Sequence, residues 1–148
     1  MDRIKLRIIG HTAGRKSRMN TQQYQKLLLI IVAIGLIPIA LAYGMAPEKI
    51  LTPIFGFPVE SINLVHMFRA VMGLYIGQLI FWLLGAFNPR LRRPALYSLV
   101  IFMLGIAAGR IFSLLIDGIS HWILMVYLFL ELAIGFAGIV LLKKEVSI

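Results

Sequence analysis

From Leu27 to Ala46 the chain carries no charged residue, and three later stretches of similar length, 64–87, 95–116 and 119–142, hold one charge each: Arg69, Arg110 and Glu131. At 1.5 Å per residue, any of the four crosses a hydrocarbon layer of about 30 Å as a helix. None alternates apolar and polar residues as a barrel strand would, and in lipid only helices and closed barrels satisfy their own backbone groups. The fold class is therefore an all-α membrane protein, a bundle of four transmembrane helices. A soluble domain is excluded by composition: 60% of the 148 residues are hydrophobic, more than a domain of this size can hide from water.

The basic residues give the orientation. Of 15 Lys and Arg, seven lie in residues 1–26 (Arg3, Lys5, Arg7, Arg15, Lys16, Arg18, Lys26), three between the second and third spans (Arg90, Arg92, Arg93) and two in residues 143–148 (Lys143, Lys144). Positive charge flanking spans is retained in the cytoplasm, so both termini are expected there, in a multi-pass inner-membrane topology. The domain plan is a basic cytoplasmic segment 1–26, a transmembrane domain 27–142 and a cytoplasmic tail 143–148. The net charge of +9 is then accounted for by topology and by anionic lipid headgroups, not by nucleic acid. Tyr24, Trp82 and Tyr97 at one boundary, and Tyr43 and Trp122 at the other, read as aromatic belts. His121 beside Trp122 reads as an interfacial pair.

Ala40-Leu41-Ala42, shortly after Pro38, resembles a signal-peptidase site. The 26-residue leader is long for a signal peptide and the apolar run continues to Ala46, so the first span is read as retained, with cleavage after Ala42 as the alternative. The leader itself reads either as a lipid-attracted topogenic tail or as a docking segment for a larger partner. Pro47, Pro53 and Pro58 preclude a long helix between the first two spans, and Ile54, Phe55 and Phe57 place that segment in the interface.

The charges inside the spans are the candidate site. Each costs about 2.5–3.5 kcal/mol near a helix centre, so none is expected to stand alone. Counted from the predicted outer boundary, all three lie at roughly 8–16 Å depth. His66, Arg69, Gly73 and Gly77 share one face of the second span, and Tyr127, Glu131, Gly135 and Gly138 share one face of the fourth. Gly105, Gly109, Arg110, Ser113 and Asp117 occupy a broader arc of the third. Small residues four apart let helices approach, so these faces are expected to meet in a polar cluster of Arg69, Arg110 and Glu131, ringed by His66, Ser113, Asp117 and Tyr127. Two readings stay open: Glu131 bridges both arginines and sets helix register, or the spare positive charge takes an anionic group from the outer side. A proton or ion pathway through Glu131 and His66 is a third. Ser113, His66 and Asp117 lack a nucleophile elbow, and His11, His66 and His121 show no metal-ligand spacing, so no catalytic residue, metal or cofactor is expected.

Arg69-Ala70 with Gly73 and Gly77, then Gly109-Arg110, Ser113 and Asp117-Gly118, then Glu131-Leu132, resembles a bacterial family of four-helix membrane proteins, domain of unknown function four-three-four-five. The resemblance covers about residues 27–142. It implies a bacterial inner-membrane location and the four-helix architecture, and it adds no reaction. His66-Met67-Phe68, Leu74-Tyr75 and Ile119 depart from the pattern. The functional expectation is a non-enzymatic accessory, assembly or binding protein whose partners are lipids and other membrane subunits or copies of itself. The alternative is a small transporter or lipid-handling protein.

Overall fold

The computed structural model describes residues 20–146. Residues 1–19, with most of the basic leader and His11, lie outside the described residues, as do 147–148. The described chain is all helical: α1 (Thr21–Gly44), α2 (Pro47–Phe55), α3 (Ile62–Phe87), α4 (Pro89–Asp117) and α5 (Trp122–Val146). All but α2 are long and apolar enough to cross a membrane, and the chain is a multi-pass membrane protein built as a four-helix bundle.

The helices run past the uncharged stretches, for local reasons. α1 starts at Thr21 because the Asn20 backbone N–H donates to Gln23 Oε1 at 2.9 Å, occupying a donor at the helix start. α4 starts at Pro89, six residues before its apolar run. Proline has no N–H to lose in a first turn, and the Asn88 side chain accepts from the Arg90 backbone N–H at 3.0 Å. Gly118, at φ 91°, ends α4, and residues 118–121 are non-helical, so α5 begins at Trp122 and not at Ile119. The proline-rich segment folds into the nine-residue α2, with Pro47 at its first position and Gly56, at φ 75°, closing it.

Successive long helices pack antiparallel. α1 lies mainly on α3, α3 on α4 and α4 on α5, whereas α1 touches α4 and α5 only thinly. Gln25 Nε2 donates to the Leu141 carbonyl at 3.2 Å, so both ends of the described chain leave from one end of the bundle, opposite α2. The core is concentrated at that end: Leu29, Ala33, Trp82, Ala86, Ala95, Leu96 and Leu99 are fully buried. Trp82, expected in an interfacial belt, is instead a core residue at 0% exposure, its ring 5.4 Å from Phe102. Tyr24, Tyr97 and Trp122 are exposed as a belt requires.

Close approach depends on glycines only at certain places. A Cβ on Gly85 would collide with Ala95 and stand 3.2 Å from the Leu91 carbonyl, one on Gly135 would meet Leu104, and one on Gly138 would meet Val100. Gly73, Gly77, Gly105 and Gly109 have nothing within 4 Å of that position, which corrects the expectation that all six glycines of the sequence faces join helices. Those four lie on exposed faces of α3 and α4, because α3 turns Leu79, Trp82 and Ala86 inward instead. Gly85→Ala is expected to destabilise the bundle by about 1–3 kcal/mol through overpacking, with Gly77→Ala near neutral, as read by thermal unfolding in detergent.

Candidate functional site

The close α4–α5 contact at Gly138 and Gly135 continues along the same antiparallel register, and two turns further it sets Arg110 opposite Glu131. Arg110 Nε donates to Glu131 Oε1 at 2.9 Å and to Oε2 at 3.0 Å. The two side chains are only 20% and 11% exposed. The Tyr127 ring, one turn before Glu131, lies 5.7 Å from the guanidinium carbon and adds a cation–π contact. Each charge thereby has a partner, as an apolar environment demands.

The pair closes one end of a groove of about 270 Å³ bounded by α1, α4 and α5, with Tyr75 of α3 at its floor. Leu28, Ile31, Leu36 and Ile39 supply one wall, Phe102, Met103 and Ile106 the second, and Leu130 and Ile134 the third. Tyr43 and Tyr75 stand with Tyr127 at the polar end, the first two in edge contact at 6.0 Å. The groove exists because α1 leans on α3 and leaves space on its α5 side. Gly35 lines it with no atom within 4 Å of a would-be Cβ, and Ile31 and Leu130 are exposed, so it opens sideways between α1 and α5.

The expected seven-residue cluster is divided among three places. Arg110, Glu131 and Tyr127 are together. Arg69 is drawn off: its Nε donates to the Gly44 carbonyl at 3.4 Å, at the C-terminus of α1. The last carbonyls of a helix lack intrahelical partners and attract cations, and Gly44 lies hard against Met72, one turn from Arg69. Arg69 and His66 line a separate cleft of about 340 Å³ with Glu48 and Glu60. Ser113 Oγ donates to Asp117 Oδ2 at 2.7 Å within α4's own exposed surface, so Ser113 and Asp117 contribute nothing to the groove. Glu131 therefore pairs with one arginine and does not bridge two. Among the described residues no group of three or more His, Asp or Glu side chains is placed to hold a metal ion.

Tyr43 and Tyr75 are site residues that sequence reading passed over. Tyr43 had the signature of a belt aromatic, and Tyr75 stood as a departure from the family pattern. Their signal was a hydroxyl-bearing ring inside an apolar stretch of span length. His121 does pair with Trp122, at 5.9 Å between rings, and also meets Phe55 edge-on at 6.1 Å.

A family model described as domain of unknown function (DUF4345) matches residues 24–142. No curated protein and no solved structure matches the chain. Replacing Arg110 or Glu131 singly by Leu is expected to cost about 3 kcal/mol, whereas Arg110→Leu/Glu131→Leu together cost less than either alone, because only the single variants leave a buried charge uncompensated. A double-mutant cycle on unfolding in detergent measures it.

Proposed function

The chain belongs to the DUF4345 family, and we propose that this four-helix membrane protein is a binding protein for a membrane amphiphile, held in the groove between α1 and α5. The observation that carries this reading is an apolar groove, open to the side, whose one charged feature is the Arg110–Glu131 pair at its end. An apolar cavity with a few convergent polar groups is what a small-molecule site requires, and a side opening admits a ligand directly from the bilayer. The basic residues Lys26, Arg90, Arg92, Arg93, Lys143 and Lys144 support placing the end opposite α2 at the cytoplasmic face of a bacterial inner membrane, against anionic headgroups.

Gly35→Leu is the direct test. Its side chain enters open space in the groove, and leucine favours a helix more than glycine does. The variant is expected to lose co-purifying or added amphiphile in native mass spectrometry while unfolding no earlier than the parent. Unchanged binding would overturn the reading.

The open glycine faces support a second reading, an accessory or assembly subunit of a larger membrane complex. Gly73 and Gly77 on α3, and Gly105 and Gly109 on α4, leave the backbone bare for close approach of another helix. On that reading Gly77→Leu shifts the protein to a smaller species in native gels and leaves amphiphile binding intact. An unaltered migration argues against it.

A further inference from the structure

We propose that the groove selects a single-chain amphiphile with an uncharged head carrying hydroxyl or carbonyl groups, such as a monoacylglycerol. This rests on the groove being a binding site and adds the chemistry of what it binds. The first argument is charge. Of the residues lining the groove, Arg110 and Glu131 form an ion pair that sums to zero, one Nε–H being shared between the two carboxylate oxygens. The other polar side chains of the lining, Tyr43, Tyr75 and Tyr127, offer phenol hydroxyls. An anionic head at Arg110 would lie beside the Glu131 carboxylate and a cationic head at Glu131 beside the Arg110 guanidinium, so either charge is repelled by one member of the pair as it is attracted by the other. The other intramembrane arginine offers no relief, since Arg69 holds the Gly44 carbonyl and lines a cleft that has Glu48 and Glu60 of its own.

The second argument is hydrogen bonding. Both contacts to Glu131 run through Arg110 Nε, so the terminal nitrogens lie outside that pair, with the Tyr43 hydroxyl as one hydrogen-bond partner of the guanidinium. The carboxylate keeps lone pairs beyond the two contacts, and the phenol hydroxyls both donate and accept. A hydroxyl-rich neutral head meets donors and acceptors together without adding charge. The third argument is shape. From Leu28 to Tyr43, α1 rises roughly 22 Å at 1.5 Å per residue. The groove follows α1 over that length as a side-open apolar slot with its polar groups at one end, the shape of an extended chain carrying a head.

The test compares three probes with the same tetradecyl-length chain: monomyristoylglycerol, tetradecyl sulfate and tetradecyltrimethylammonium. Each is titrated into the full chain in phosphatidylcholine nanodiscs, with empty nanodiscs as the partition control. The neutral probe is expected to bind at least about ten-fold more tightly than either ion, a difference of about 1.4 kcal/mol. In Glu131→Gln, where Arg110 loses its counter-charge, the preference is expected to pass to the sulfate. Equal or tighter sulfate binding by the unmodified protein overturns the proposal and needs no variant to fold. If all three probes bind indifferently to head charge, yet Gly35→Leu abolishes them, the groove reading stands and the head selectivity is wrong. If none binds, the groove reading itself fails.

Discussion

Two opposite charges in the hydrocarbon layer have to find each other, and the rest of this bundle is arranged around the meeting of Arg110 and Glu131. In lipid, burial of apolar surface gives helices little reason to associate, because the tails outside are as apolar as the side chains inside. An ion pair with both Glu131 oxygens engaged is different: it is satisfied in one register and expensive in every other. Gly135 and Gly138 let α5 come near enough to Leu104 and Val100 for that register to be reached. A polar contact chooses the alignment, and small residues make the alignment sterically open.

The opposite end of the bundle works by packing. Trp82, Leu29, Leu96 and Leu99 interlock there, and Gly85 lets α3 approach Ala95 across the one-residue turn at Asn88. Because α1 is committed to α3 through this core and through Tyr43, Phe68 and Tyr75, it is not drawn onto α5. The groove is the space left by that commitment. Its walls come from the packed helices and its end from the ion pair, so both ordering principles meet in it.

The helices were legible in the sequence because lipid is a severe solvent: four apolar stretches of span length leave few other folds. Their ends were less so, since Asn88 and Pro89 read as a loop until the cap on Arg90 is seen. Arg110 and Glu131 were legible as partners because intramembrane charge must be paired. Arg69 was grouped with them on depth, but depth is silent about competing acceptors, and the bare carbonyl at the end of α1 lies beside Arg69. Glycine spacing was equally ambiguous. It marks a face where a helix can approach, and only the neighbouring helices decide whether one does: Gly135 and Gly138 are occupied while Gly73, Gly77, Gly105 and Gly109 are open.

Charge in this chain is divided between two environments with opposite rules. Outside the spans lie thirteen basic residues, where water and lipid headgroups can solvate a charge without a fixed partner. Inside, excess is not tolerated, and each charge is matched locally. Arg69 is matched by a helix terminus, Arg110 by Glu131. A net charge of +9 therefore says nothing about the groove, where the balance is zero. Had Arg69 joined the pair, the groove would have been cationic and suited to phosphate or carboxylate. With Arg69 turned toward the Gly44 carbonyl, the charge lining the groove is that of Arg110 and Glu131 alone.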